Sequence, residues 1–65
     1  MAPHQERVVQ ERAELAEKLE KLDAFLNDQE KFRSLKFYDA CLLIEQSELM
    51  RRYVIVLDTR IARFA

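Results

Sequence analysis

The residues best suited to chemistry in this 65-residue chain are its arginines, at Arg7, Arg12, Arg33, Arg51, Arg52, Arg60 and Arg63. A guanidinium grips carboxylate or phosphate with two parallel hydrogen bonds and also stacks on flat rings. Binding of a small anion is therefore the chemistry this composition offers first. Nucleophilic and metal chemistry have little to work with. Cys41 is the only cysteine and His4 the only histidine, which rules out an internal disulfide and a Cys/His zinc site within one chain. Cys41 lies in the apolar run Ala40-Cys41-Leu42-Leu43 and reads as a small buried hydrophobe. Acidic neighbours such as Glu17 and Glu20 have helix-surface spacing and read as solvated charges. With no glycine, a glycine-rich phosphate loop is excluded. We expect a binding protein, with no catalytic residue, no metal and no cofactor.

Helices must position these groups. Val8, Leu15, Leu19, Leu22 and Leu26 recur at helical spacing, with Phe25 broadening the stripe and Arg12 standing within it. Glu14 to Lys18 and Glu17 to Lys21 supply favourable i,i+4 pairs. The pattern predicts a first helix over about 4–27, with Pro3 accommodated in its first turn. The connection, about 28–35, is polar except for Phe32 and Leu35, whose spacing predicts one short helical turn. Asn27 or Asp28 is suited to cap that turn, and Ser34 to cap the second long helix. That helix is predicted over about 36–64. Two long helices with a short connection pack most simply as an antiparallel hairpin, so the expected fold is all-α, one domain over residues 1–65.

The second helix is apolar over more than one face. Leu43, Met50, Leu57 and Phe64 form one column, with Val54 and Ile61 beside it, and Leu42, Leu49 and Val56 form another about 100° away. One partner helix cannot cover both. Since a domain this small buries only about 60% of its unfolded surface, self-association into a helical bundle is expected, with Leu42, Leu49, Met50, Val56, Leu57 and Phe64 as the oligomer interface. Between the two columns runs a third, Gln46, Tyr53 and Arg60, at seven-residue intervals. Two roles fit these residues. They set helix register by pairing across a buried seam, or they line a cleft where subunits meet.

Folding the chain near residue 32 gathers both termini at one end. Residues 1–14 with 50–65 hold six basic and four acidic groups, a balance of +2, and residues 15–49 hold five basic and eight acidic, a balance of −3. The arginine-rich terminal end suits an anionic ligand. The alternative is internal neutralisation, with Arg7 near Asp58 and Glu11 near Arg51 or Tyr53. The formal charge of −1 excludes a generally nucleic-acid-binding or membrane-surface protein. The N-terminal residues have no apolar run behind their charges and no stretch is of transmembrane length, so a location in the cytoplasm where the chain is made is expected.

The segments His4-Gln5-Glu6-Arg7-Val8-Val9, Glu14 through Phe25, Glu30-Lys31-Phe32, Leu42 through Gln46, Met50-Arg51-Arg52-Tyr53 and Arg60-Ile61-Ala62-Arg63-Phe64 resemble a widespread family of short phage proteins named after a crAss-like phage member. The resemblance covers nearly the whole chain. It departs at Lys36-Phe37-Tyr38, where an acidic or capping residue is usual. The resemblance implies a phage or prophage origin, and small phage proteins of this size often neutralise host defences. By analogy of class, some similar helical sponge proteins sequester nucleotide immune signals at subunit interfaces. That gives His4, Arg7, Arg12, Gln46, Tyr53, Arg60 and Arg63 a common purpose as a ligand site for a cyclic nucleotide or an ADP-ribose-type signal. The alternatives are an inhibitor that binds a host defence protein through its apolar helical face, and a structural phage protein.

Overall fold

Helix α1 spans Pro3–Asn27, α2 spans Gln29–Arg33 and α3 spans Phe37–Ala62 in a computed structural model that describes residues 1–64. Pro3 opens α1, where its missing N–H costs nothing. The Gln5 side chain accepts a hydrogen bond from the Ala2 N–H at 3.0 Å, reaching back over the first turn. Along its outer face Lys21 pairs with Glu17 at 3.3 Å, while Glu14 accepts from the Gln10 amide at 3.1 Å instead of meeting Lys18.

Asp28 ends one helix and starts the next. Its extended backbone stops α1, and its carboxylate accepts from the N–H groups of Glu30 and Lys31 at 3.1 and 3.2 Å. This is the side-chain cap that the orphan donors of a helix start require. Ser34 serves the end of α2 and not the start of α3, because its hydroxyl donates to the Lys31 carbonyl at 2.6 Å. Helix α3 begins one turn later. Its N-cap is Lys36, which has the extended φ/ψ of a cap but offers no side-chain acceptor.

Helices α1 and α3 lie against each other as an antiparallel pair: Arg12 meets Asp58 and Asp23 meets Arg51, so the numbers rise on one helix as they fall on the other. The inward face of α3 has small residues at Ala40 and Ser47, both buried, and the Ser47 hydroxyl donates to its own helix at the Ile44 carbonyl, 2.7 Å away. Small side chains let the two backbones approach where α1 presents leucines. Leu57 is fully buried, with Val8 buried opposite it near the terminal end. Leu57 is therefore spent inside the hairpin and has no surface for a second subunit, which corrects its place in the expected oligomer interface. The result is a rod of 45 × 14 × 13 Å. No helix among the described residues is long and apolar enough to cross a membrane.

Candidate functional site

On either side of its apolar line each helix carries a polar flank, because adjacent residues differ by about 100° in direction. Glu11 and Arg12 thus fall on opposite flanks of α1, as Tyr53 and Asp58 do on α3. One flank of the hairpin is closed by ion pairs. Arg12 Nε donates to Asp58 Oδ1 at 2.7 Å with Nη2 supporting at 3.4 Å, and Arg51 holds both carboxylate oxygens of Asp23 at 3.1 to 3.3 Å. The hydrogen bond to Asp58, reinforced by its charge, raises the Arg12 pKa above its already high ordinary value.

This arrangement corrects two expectations. Asp58 is met by Arg12, not Arg7, and Arg12 is committed to the hairpin instead of the ligand site. Both helices turn Arg12 and Asp58 toward each other on the same flank, whereas Arg7 lies five residues earlier and more than 100° away around α1. Arg51 pairs with Asp23, a partner that the charge pattern did not single out. Its signal was available: Asp23 lies three helical turns beyond Arg12 and so shares its flank.

The other flank is open. Tyr53 and Arg60 stand two turns apart on α3, and His4 and Glu11 two turns apart on α1. The Tyr53 hydroxyl donates to Glu11 across the groove. That hydrogen bond raises the Tyr53 pKa, with burial and the Glu11 charge acting the same way, while the positive charge of Arg60 pulls it down. Arg60 is thus close enough to Tyr53 for its charge to be felt. Among the described residues, Arg7, Arg60 and Arg63 enter no ion pair. Gln46 continues the column toward the connection and its amide reaches only Met50 Sδ at 3.9 Å. Of the expected ligand residues, Gln46, Tyr53 and Arg60 share one column of α3 by helical phase, His4 shares the column of Glu11 on α1, and Arg12 is paired with Asp58 on the opposite flank.

On this flank the Tyr53 phenol is oriented by the Glu11 carboxylate, and Arg7, Arg60 and Arg63 carry guanidinium groups, a type of group that grips anions with paired hydrogen bonds. Beside it, Leu42, Leu49 and Val56 are each more than half exposed. Met50 and Phe64, also expected at an interface, are half-buried.

A separate apolar feature lies at the other end of the hairpin. A cleft of about 420 Å³ at the connection end is lined by Phe32, Leu35, Phe37, Ala40, Cys41 and Ile44, with Arg33 at its edge. Cys41 is exposed there, correcting the expectation of a buried thiol: it sits on the outer side of α3 while Ala40 faces α1. Phe37 and Tyr38 stack edge to face with centroids 5.9 Å apart, and are 77% and 80% exposed.

A family model, Sequestin, matches residues 2–63. No curated protein and no solved structure matches the chain. The match spans nearly all of the sequence, and the chain belongs to the Sequestin family.

Proposed function

From that membership we propose that the protein sequesters a small ligand, and that the ligand is a phosphate-bearing nucleotide immune signal of the cyclic-nucleotide or ADP-ribose type, held at a subunit interface. In this reading it is a phage anti-defence protein of the host cytoplasm. The family name points to sequestration. The observation that carries the ligand class is the contrast between the two flanks. Arg12 and Arg51 are consumed by Asp58 and Asp23, whereas Arg60, near enough to Tyr53 to act on its phenol, pairs with no carboxylate among the described residues. A guanidinium left without a carboxylate is available for phosphate. Arg7 and Arg63 add charge at the same end, and Tyr53, His4 and Gln46 offer a ring face and polar atoms for base or ribose.

Sequestration requires no turnover, only that binding of the ligand stabilises the folded protein. A ligand at one hundred times its Kd stabilises by roughly 2.7 kcal/mol. Thermal shifts measured against a panel of cyclic dinucleotides and ADP-ribose derivatives should reveal at least one such ligand. Arg60→Ala should remove that shift and leave the ligand-free melting curve in place. A panel that produces no shift at all sinks the reading.

A second reading rests on a different observation, the exposed Phe37 and Tyr38 beside the apolar cleft. There the protein inhibits a host defence protein by an apolar docking mode. Pull-down from host lysate would then recover one protein, lost on replacing Phe37 or Tyr38 and indifferent to Arg60→Ala.

A further inference from the structure

The chain exposes 5385 Å² of accessible surface. A folded monomer of its 7.8 kDa mass exposes about 4,400 Å². The excess, about 1,000 Å², is slightly more than the roughly 800 Å² that each partner contributes to a standard interface. Part of the exposed surface is one apolar stripe of α3, where Leu42, Leu49 and Val56 lie two turns apart and are each more than half exposed.

We propose that this stripe is covered by the α3 helix of a second copy running antiparallel to the first, about a two-fold axis near Arg51. The sense of the pairing comes from the two columns that form the seam. Gln46, Tyr53 and Arg60 make one edge, and Leu42, Leu49 and Val56 the other, in a heptad arrangement. In a parallel pair each layer repeats itself, and Arg60 meets its own copy inside the seam, placing two like charges together. In an antiparallel pair each column meets the other. Tyr53 packs on Leu49 of the second copy, Gln46 on its Val56, and Arg60 on its Leu42.

The charges on this face of α3 favour the same sense. From Phe37 to Met50, α3 carries Asp39, Glu45 and Glu48 and no basic residue. From Arg51 to Arg63, the cations without an ion pair among the described residues are Arg52, Arg60 and Arg63. Turned end for end about Arg51, Asp39 of one copy comes opposite Arg63 of the other, and Glu48 opposite Arg52. Placed parallel, like would face like over the whole helix.

One consequence rests on the function proposed above. The two Arg60 side chains of such a pair are separated by eighteen residues of helix, roughly 27 Å, beyond the reach of one nucleotide. The dimer would carry two equivalent ligand sites, each joining the terminal end of one chain to the connection end of the other.

The native cysteine tests the pairing with no ligand present, so the result is independent of the sequestration reading. Cys41 is exposed and off the seam. A nitroxide attached to it in the unmodified protein reports the separation between copies by pulsed electron paramagnetic resonance, alongside native mass spectrometry for subunit number. The antiparallel pair predicts an even number of subunits and a main distance of at least roughly 30 Å, since twenty residues of helix separate the labels. Leu49→Asp should abolish the distance signal. A monomer at tens of micromolar, an odd number of subunits, or a main distance under about 20 Å would overturn it. In the monomer case the stripe would be left for a different protein.

Discussion

Tyr53 donates to Glu11 across the open groove while Arg60 acts on the same phenol in the opposite direction. The net effect is a phenol that ionises above the ordinary tyrosine value of about 10. Because the folded state holds this proton more tightly than the unfolded chain, the contact stabilises the hairpin below that value and its contribution is lost as pH rises through the folded pKa. In a Tyr38→Phe background, where Tyr53 is the only phenol, ultraviolet titration should show delayed ionisation, and Glu11→Ala should bring it down. An unchanged curve in Glu11→Ala would remove the hydrogen bond as the cause. At this scale the sequence was only partly readable. The residue types of this flank were visible, and Glu11 was expected near Arg51 or Tyr53, of which the fold selects Tyr53. The choice between Arg7 and Arg12 for Asp58 was not, because it depends on a rotation of about 100° per residue and on the way α1 is turned against α3. Sequence spacing fixes each helix's own phase, but it does not fix the phase of one helix against another.

The contrast between the two helix starts after the connection belongs to the element scale. Asp28 caps α2 through two backbone donors, and the same logic is missing at Lys36, which adopts cap geometry without an acceptor. Lys36→Ser should supply one and stabilise the protein by about 1 kcal/mol, a rise of several degrees in Tm for a domain of this length. Thermal denaturation of the variant measures it directly; no rise would mean that the adjacent Phe37 and Tyr38 hold the helix start in place by packing. Helix boundaries were legible from the sequence to within two residues because leucine spacing, Pro3 and the polar connection all agree. The role of Ser34 was not. Its hydroxyl can cap a following helix or close a preceding one, and only the extended backbone at Lys36 decides between them.

For the molecule as a whole the issue is how little of it is inside. Among the described residues only Leu57 is completely buried, and Val8, Ala40 and Ser47 are nearly so, in a rod 45 Å long. A two-helix rod has one line of contact, and an apolar α3 wider than that line leaves residues such as Leu49 and Val56 facing outward. The sequence showed this surplus, since three columns of seven-residue spacing cannot all face α1. It did not show that Leu57 is consumed by the hairpin while Leu49 is not, because the two differ only in which column meets the partner helix. If the outer column is shared between copies, folding and association are one equilibrium, and the folded state gains from mass action. Each tenfold rise in protein concentration should then add about 1.4 kcal/mol per mole of dimer, and Tm should climb steadily over a hundredfold range of concentration. Leu49→Asp puts a charge in the seam without touching the hairpin interior. Its melting point should be lower and independent of concentration. A wild-type Tm that stays constant over that range would mean that the single line of contact between α1 and α3 is enough to hold the fold, and the outer stripe would then be free for a partner of another kind.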